Sequence, residues 1–287
     1  MVGSTPCAKL RLNNNSGMNH HIAFIGGGNM ASALISGLLG KGLSAAQIDV
    51  VEPFDEARQK LKASFNIDAQ PAPGSALARA DLVVWAVKPQ TFKDAAQQSR
   101  SHTAKALHLS VAAGITSGSI ARWLGSERIV RAMPNTPALI GKGITALYAR
   151  AGVSAADRAL VDQVIATTGE LLWLTDEAQL DGVTALSGSG PAYMFYFMEA
   201  MTEAGQQMGL PREQAYKLAV ATFIGAGELA RASPEPPDVL RQRVTSKGGT
   251  THAAITSMDH SNIKNLFMQA LHAAQIRARE MGEEFGG

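Results

Sequence analysis

Thr245, Ser246, Lys247, Gly248, Gly249, Thr250 and Thr251 follow one another without a break, after Val244 and before an apolar run that starts at His252. Hydroxyls and glycines leading into a helix suit the capture of a small anion such as a carboxylate. Backbone N–H groups at a helix start point outward and carry partial positive charge. Gly248 and Gly249 have no Cβ, so the chain there can take positive φ and let a ligand approach. Thr250 or Thr251 is expected to N-cap residues 252–258. By itself the stretch reads first as an ordinary glycine turn with a threonine cap, and the other end of the chain shifts that balance.

Residues 21–25 are a short apolar run of β-formers, followed at once by Gly26-Gly27-Gly28-Asn29-Met30-Ala31. This is G-x-G-x-x-A between a strand and a helix at 30–39, the context that gives the motif weight. Gly26 permits the tight turn, Gly28 lets a pyrophosphate approach, and Ala31 allows close packing of helix on strand. A second strand, 48–51, ends at Glu52. An acid about 20 residues past the glycines is placed to bond the ribose 2′-hydroxyl of NAD. Arg58 and Lys60, just downstream, offer positive charge for NADP, so the choice between the two stays open.

Further strands are expected at 81–87, 107–111, 128–133 and 171–174, with helices at 55–65 and 155–168. Runs such as 81–87 are apolar throughout, as in a parallel strand covered on both faces. Each ends in residues that suit a site. Lys88 before Pro89 is expected to be extended and to face cofactor or substrate, although a solvated lysine is as natural. Ala112, Ala113 and Gly114 are small enough for a flat ring such as nicotinamide to lie against the backbone; close helix packing is the other reading. Pro134 and Pro137 fix a loop around Asn135 and Thr136. Strand–helix alternation of this kind predicts an α/β fold, a Rossmann-type doubly wound parallel sheet.

After Asp176 the pattern turns helical. Residues 186–191 are expected to form a small-residue turn that opens a helix. Residues 193–198 are apolar on all sides, as in a buried helix, yet the remaining hundred or so residues are few to cover it, which predicts a subunit interface. Helices are expected at 212–231, 238–244 and 262–281, the last with Ile263, Leu266, Phe267, Ala270, Leu271 and Ala274 on its apolar face. Met194, Met198, Met201, Met208, Met258 and Met268 read as core filler. Three segments result: a disordered extension at 1–19, a dinucleotide-binding domain at 20–175, and an all-α substrate-binding and dimerisation domain at 176–287.

Composition excludes several classes. The 287 residues are 46% hydrophobic with net charge +2, which argues against nucleic acid as main partner. The single cysteine, Cys7, leaves no disulfide framework or cysteine metal site and fits a cytoplasmic protein. No apolar run is long enough to span a bilayer. The seven histidines are scattered without ligand spacing, so no metal is expected. Met18, just before the first strand, is a candidate start.

Five stretches together resemble the pyrroline-5-carboxylate reductase family: residues 24–30, 86–89, 133–137, 187–193 and 245–251. They follow the family's order and spacing and span 22–281. The resemblance implies NAD(P)H-dependent reduction of 1-pyrroline-5-carboxylate to L-proline in proline biosynthesis, with NADP(H) or also NAD(H) as cofactor. It implies a homo-oligomer built from interlocking dimers, a decamer being one form. By the same resemblance Ile25, Gly26, Gly27, Gly28, Asn29 and Met30 hold the pyrophosphate. Ala86, Val87, Lys88 and Pro89 line the cofactor, and Ala112 and Ala113 lie at its nicotinamide end. Asn135, Val244, Ser246, Gly248, Gly249, Thr250 and Thr251 are the substrate-side residues, with Thr251 at the ring nitrogen as the catalytic candidate. Lys247 departs from the proline common at its position, and the segment Pro234 to Pro237 departs as well, with Glu235 only roughly aligned to an acid of some relatives.

Two other functions fit part of the pattern. A β-hydroxyacid-type dehydrogenase would need a lysine on a long interdomain helix; Lys217 is the candidate and lacks the expected glycine- and asparagine-rich surroundings. A non-catalytic NAD(P)-sensing protein would not need the substrate loop.

Overall fold

A computed structural model describes residues 19–286. The expectations for Cys7, Met18 and the rest of 1–18 lie outside the described residues. The first half alternates β1 (Ile22–Ile25), α1 (Asn29–Gly40), β2 (Ile48–Val51), α2 (Asp55–Phe65), β3 (Leu82–Trp85), α3 (Pro89–Ser99), β4 (Leu107–Ser110), α4 (Ser117–Leu124), β5 (Ile129–Met133), β6 (Gly143–Ala149), α5 (Ala155–Ile165) and β7 (Gly169–Trp173). The strands make one sheet in the order β2-β1-β3-β4-β5-β6-β7.

The central strands are buried on both faces, which explains their unbroken apolar sequence. One face carries Phe24, Val84 and Leu109 against Leu34, Leu38 and Val161 of α1 and α5. The other carries Val83 and Trp85 against Phe92 of α3 and Ile120 of α4. Trp85 stacks on Phe92 with centroids 5.2 Å apart. Its indole N–H donates to Nδ1 of buried His108 at 3.2 Å. Burial, with the nearby Arg128 charge, lowers the pKa of His108 to about 4.

The expected wholly parallel sheet is corrected at β6, a strand that the sequence pattern did not suggest. It pairs antiparallel with β5, Met133 opposite Ala146. Between them lies only a loop with a 3₁₀ turn at Thr136–Ile140. That is too short for the helical crossover that a parallel neighbour needs, so the chain turns back. Parallel pairing resumes between β6 and β7 through α5.

The second half is helical: α6 (Gln179–Val183), α7 (Gly190–Gln207), α8 (Arg212–Ala232), α9 (Pro237–Arg243), α10 (Thr250–His260) and α11 (Ile263–Phe285). The expected turn at 186–191 is instead a π-helical turn, Thr184–Gly188, that joins α6 to α7. Gly188 lies directly on the Met133 methyl, where a Cβ would overlap it. The helix at 193–198 is not buried within the chain either. Phe195 is 58% and Tyr196 69% exposed. Met194, Met201, Met208, Met258 and Met268 are exposed rather than core filler, and so are Ile263 and Leu266 of α11. Pairs of helices such as α7 and α8 pack on each other, but among the described residues no further layer covers their outer faces.

Hydrogen bonds at two places help join the halves. The Glu177 carboxylate accepts from Ser117 N–H at 2.6 Å, Ser117 Oγ at 2.5 Å and Arg131 Nη1 at 2.7 Å. Burial opposes ionisation of Glu177, but these donors outweigh it and hold its pKa below the ordinary value. At the end of α11, the Gly286 carbonyl accepts from Ser119 Oγ and from Arg122 Nη2.

Candidate active site

β1, β3 and β4 run parallel and in register, so the residues after them meet at the carboxyl end of the sheet. Ile25, Gly26 and Gly27 are buried there, while Gly28 and Asn29 are exposed. Gly26 has φ +96 and its Cβ position lies 2.6 Å from the Ala86 carbonyl, so any side chain would force the two loops apart. Gly28 opens onto free space, with nothing within 4 Å of its Cβ position, and it begins α1 without a side-chain cap. An uncapped helix start behind an open glycine is a fitting seat for a pyrophosphate. Met30 is half-buried in the first turn.

Ala86 and Val87 follow β3 half-buried, and Ala86 N–H donates to the Ile25 carbonyl at 2.8 Å. Lys88 is extended (φ −64, ψ 147) and exposed, as the following proline requires, and Pro89 opens α3. Ala112 is buried and Ala113 half-buried beyond β4. The close-packing reading of this small-residue run holds at its last member: Gly114 touches Met281 and Gly282 of α11. Sequence reasoning missed that the last helix backs this platform; Gly282, a glycine inside a helix, was the available clue.

Glu52 departs from the simple picture of a ribose ligand. It is buried, Oε2 accepts from Gly27 N–H at 2.8 Å, and Oε1 accepts from Phe54 N–H at 2.9 Å. It therefore also braces the glycine loop. Asn135 is similarly engaged: Oδ1 accepts from Ile144 N–H at 3.0 Å, which leaves its Nδ2 for a ligand.

The anion-loop candidates lie at the other end of the second half. Gly248 has φ +76, as the glycine suggests, whereas Gly249 is extended at φ −80. The expected threonine cap is corrected: Gly249 itself occupies the N-cap and no side chain caps the start, so Thr250 and Thr251 lie in the first turn of α10. Glycine is among the residues favoured at an N-cap, and with no side chain there the first N–H groups of α10 are left without a side-chain acceptor. Thr251 is half-buried, and Val244, Ser246, Gly248 and Thr250 are exposed. Among the described residues the loop bonds only locally, with Thr245 Oγ1 donating to Arg241 O at 2.6 Å and Gly249 N–H to Ser246 O at 3.0 Å. The fold thus gathers the cofactor candidates at the carboxyl end of the sheet, while the candidate substrate loop is largely exposed. Glu235, just before α9, accepts from Arg243 Nη2 at 2.6 Å.

The described residues hold no group of three or more His, Cys, Asp or Glu fit to bind a metal, and no helix among them is long and apolar enough to cross a membrane.

Comparison with known proteins agrees with this geometry. Residues 177–281 match the family model described as pyrroline-5-carboxylate reductase dimerisation, and residues 21–114 match that of the NADP oxidoreductase, coenzyme F420-dependent, type. A Pseudomonas aeruginosa pyrroline-5-carboxylate reductase is 48% identical over 92% of this chain and 98% of its own. The Arabidopsis thaliana enzyme of the same name is 35% identical over 91% and 95%. Among solved structures, a pyrroline-5-carboxylate reductase from Coxiella burnetii superposes with TM-score 0.84 at 37% identity, covering 91% of this chain and 98% of that one. A Plasmodium falciparum pyrroline carboxylate reductase, solved with NADP bound, gives 0.82 at 28% identity over 92% and 98%.

Proposed function

The chain belongs to the pyrroline-5-carboxylate reductase family, and from that premise we propose how its residues divide the work of reducing 1-pyrroline-5-carboxylate to L-proline. It is an NAD(P)-dependent oxidoreductase, with NADP(H) as cofactor. When bound, the reduced nicotinamide supplies the hydride. One observation carries the assignment: a single chain offers two uncapped helix starts, each behind a glycine loop, α1 for a pyrophosphate and α10 for a carboxylate.

Gly26 to Met30 seat the pyrophosphate, Ala86 to Pro89 flank it, and Ala112 with Ala113 supports the ring. Ser246 to Thr251 hold the substrate carboxylate through open N–H groups and hydroxyls. The Thr251 hydroxyl accepts from the ring N–H of the protonated imine and sets its angle. A protonated C=N bond is already electrophilic, so position rather than strong acid or base supplies the rate. That fits a site without a His/Asp pair.

The outward-facing loop and the bare faces of α7 and α11 support a site completed by a second copy, whose loop closes over this chain's sheet edge. The dimer is the unit of such an assembly, and a decamer its proposed higher form. The boundary between the two functions is proposed at 175/176, supported by β7 ending at Trp173 and the family match starting at residue 177. One cysteine in 287 residues supports a cytoplasmic location.

A steady-state assay with 1-pyrroline-5-carboxylate and each reduced cofactor tests the reading. Substrate-dependent oxidation of the cofactor with L-proline as product is expected; no proline formed with either cofactor would overturn it.

A further inference from the structure

Ala112 and Ala113, the small residues after β4, sit in a loop that is tied down at three points. At its start, Ala112 N–H donates to Ser110 Oγ at 3.3 Å. In its middle, Gly114 turns with φ +77 against Met281 of α11. At its end, where α4 begins, Glu177 accepts from both the N–H and the hydroxyl of Ser117. The same carboxylate accepts from Arg131, which lies opposite Ser110 in the β4–β5 pairing. Arg131 is 7% exposed, so its charge has little water and needs this partner. Arg150 adds to the cluster, with Nη1 donating to Ser117 Oγ at 3.3 Å and Nε to Glu127 at 2.7 Å. One carboxylate from the start of the helical half thus grips the exit of the loop and the strand beside it.

We propose that Glu177 is a positioning residue for hydride transfer: by fixing the start of α4 against β5, it holds the Ala112–Ala113 backbone in the one place that serves the reaction. This rests on the reading of those two alanines given above. Glu177 acts through Ser117 and Arg131 and is assigned no contact with substrate or cofactor. Three residues separate Ala113 from Ser117, and Ile115 among them is fully buried, so the loop has little slack to absorb a shift at Ser117. Reacting atoms must come within about 3–3.5 Å of each other, and a misplacement of about 1 Å costs on the order of a hundredfold. Loosening the clamp therefore slows the chemical step without removing a group that binds the dinucleotide.

Two variants of the intact protein test this. Glu177→Gln keeps the side-chain shape but loses the charge and one acceptor. Ser117→Ala removes only the hydroxyl bonds, and it decides the matter if Glu177→Gln does not fold. Hydrogen exchange in the dinucleotide-free protein should speed up about tenfold or more at residues 112–117 in both. Fluorescence titration should leave the NADPH Kd within about twofold of wild type. In single-turnover oxidation of NADPH by 1-pyrroline-5-carboxylate, the rate constant should fall about tenfold in Ser117→Ala and about a hundredfold in Glu177→Gln, at full amplitude. A merely structural bridge would instead lower the amplitude, through an unfolded fraction, and leave the rate constant alone. A wild-type rate constant in either folded variant, exchange unmoved at 112–117, a loss of amplitude alone, or a Kd that rises as far as the rate constant falls overturns the proposal and leaves the reductase reading standing. If the wild type itself forms no proline, the reading of the site fails and the proposal with it.

Discussion

The two halves of this chain treat apolar side chains in opposite ways. The sheet half buries Phe24, Leu82, Trp85, Phe92 and Leu109 almost completely between two helical layers. In the helical half the buried apolar residues are few and mostly small: Leu180, Ala185, Ala215, Ala219 and Ala278. Its large ones, among them Phe195, Tyr196, Leu218, Ile224 and Leu266, face outward. A patch of that size on a lone chain marks an interaction surface. The sheet half buries its core within one chain; the helical half, which matches a dimerisation model, leaves its large apolar side chains exposed, and it carries the candidate substrate loop.

Breaking the helical side should give the largest effect. Phe195→Asp with Leu266→Asp buries two charges in the proposed interface. Light scattering should then report the 30.2 kDa single chain, and reductase activity should fall more than about a hundredfold. Dinucleotide affinity should stay within about twofold, because the sheet half is untouched. A dimer of normal activity would erase the contrast.

The sheet half is attacked most directly through Gly26→Ala. Positive φ and the Ala86 carbonyl both oppose a methyl, so the dinucleotide Kd should rise about a hundredfold, with the assembly intact.

His108 sharpens the comparison by pH. Its folded pKa lies below its ordinary 6.5, at about 4, so the unfolded state takes up the proton first. The stability it contributes is complete above 6.5 and is lost as pH falls towards 4, up to roughly 3 kcal/mol. Protonation at Nδ1 would also break the bond from Trp85. Thermal melts from pH 7 to 4.5 should show this loss, and His108→Gln should flatten it. Below about 4.5, protonation of Glu177 adds to the fall, since its folded pKa is also depressed.

Thr251→Ala should have the smallest effect, lowering kcat about tenfold while assembly and dinucleotide affinity hold. Wild-type kcat would remove Thr251 from the reaction.

Much of the architecture was legible because its causes are local. Residues 55–65 form α2 as expected, from helix formers with acids in the first turn. The glycine loop lies where a G-x-G-x-x-A motif after an apolar strand requires. The unseen parts have non-local causes. β6 exists because the 134–142 loop folds back on β5. The 186–191 run became a π turn against Met133, which lies more than fifty residues earlier in the chain. Asn135 reads in sequence as a substrate-side residue of a proline-fixed loop, and only the structure shows a bond from Ile144 N–H committing its oxygen.

Sequence alone determined the strand–helix alternation of the first half, the helical character of the second, the two glycine-led helix starts and the family, because residue type sets backbone freedom and apolar periodicity over short spans. Only the tertiary structure decided that Glu52 points back into its own loop, that α11 supports Gly114, and that residues 246–248 stay exposed. Those outcomes depend on which distant surfaces meet, and contact across tens or hundreds of residues leaves little trace in local pattern.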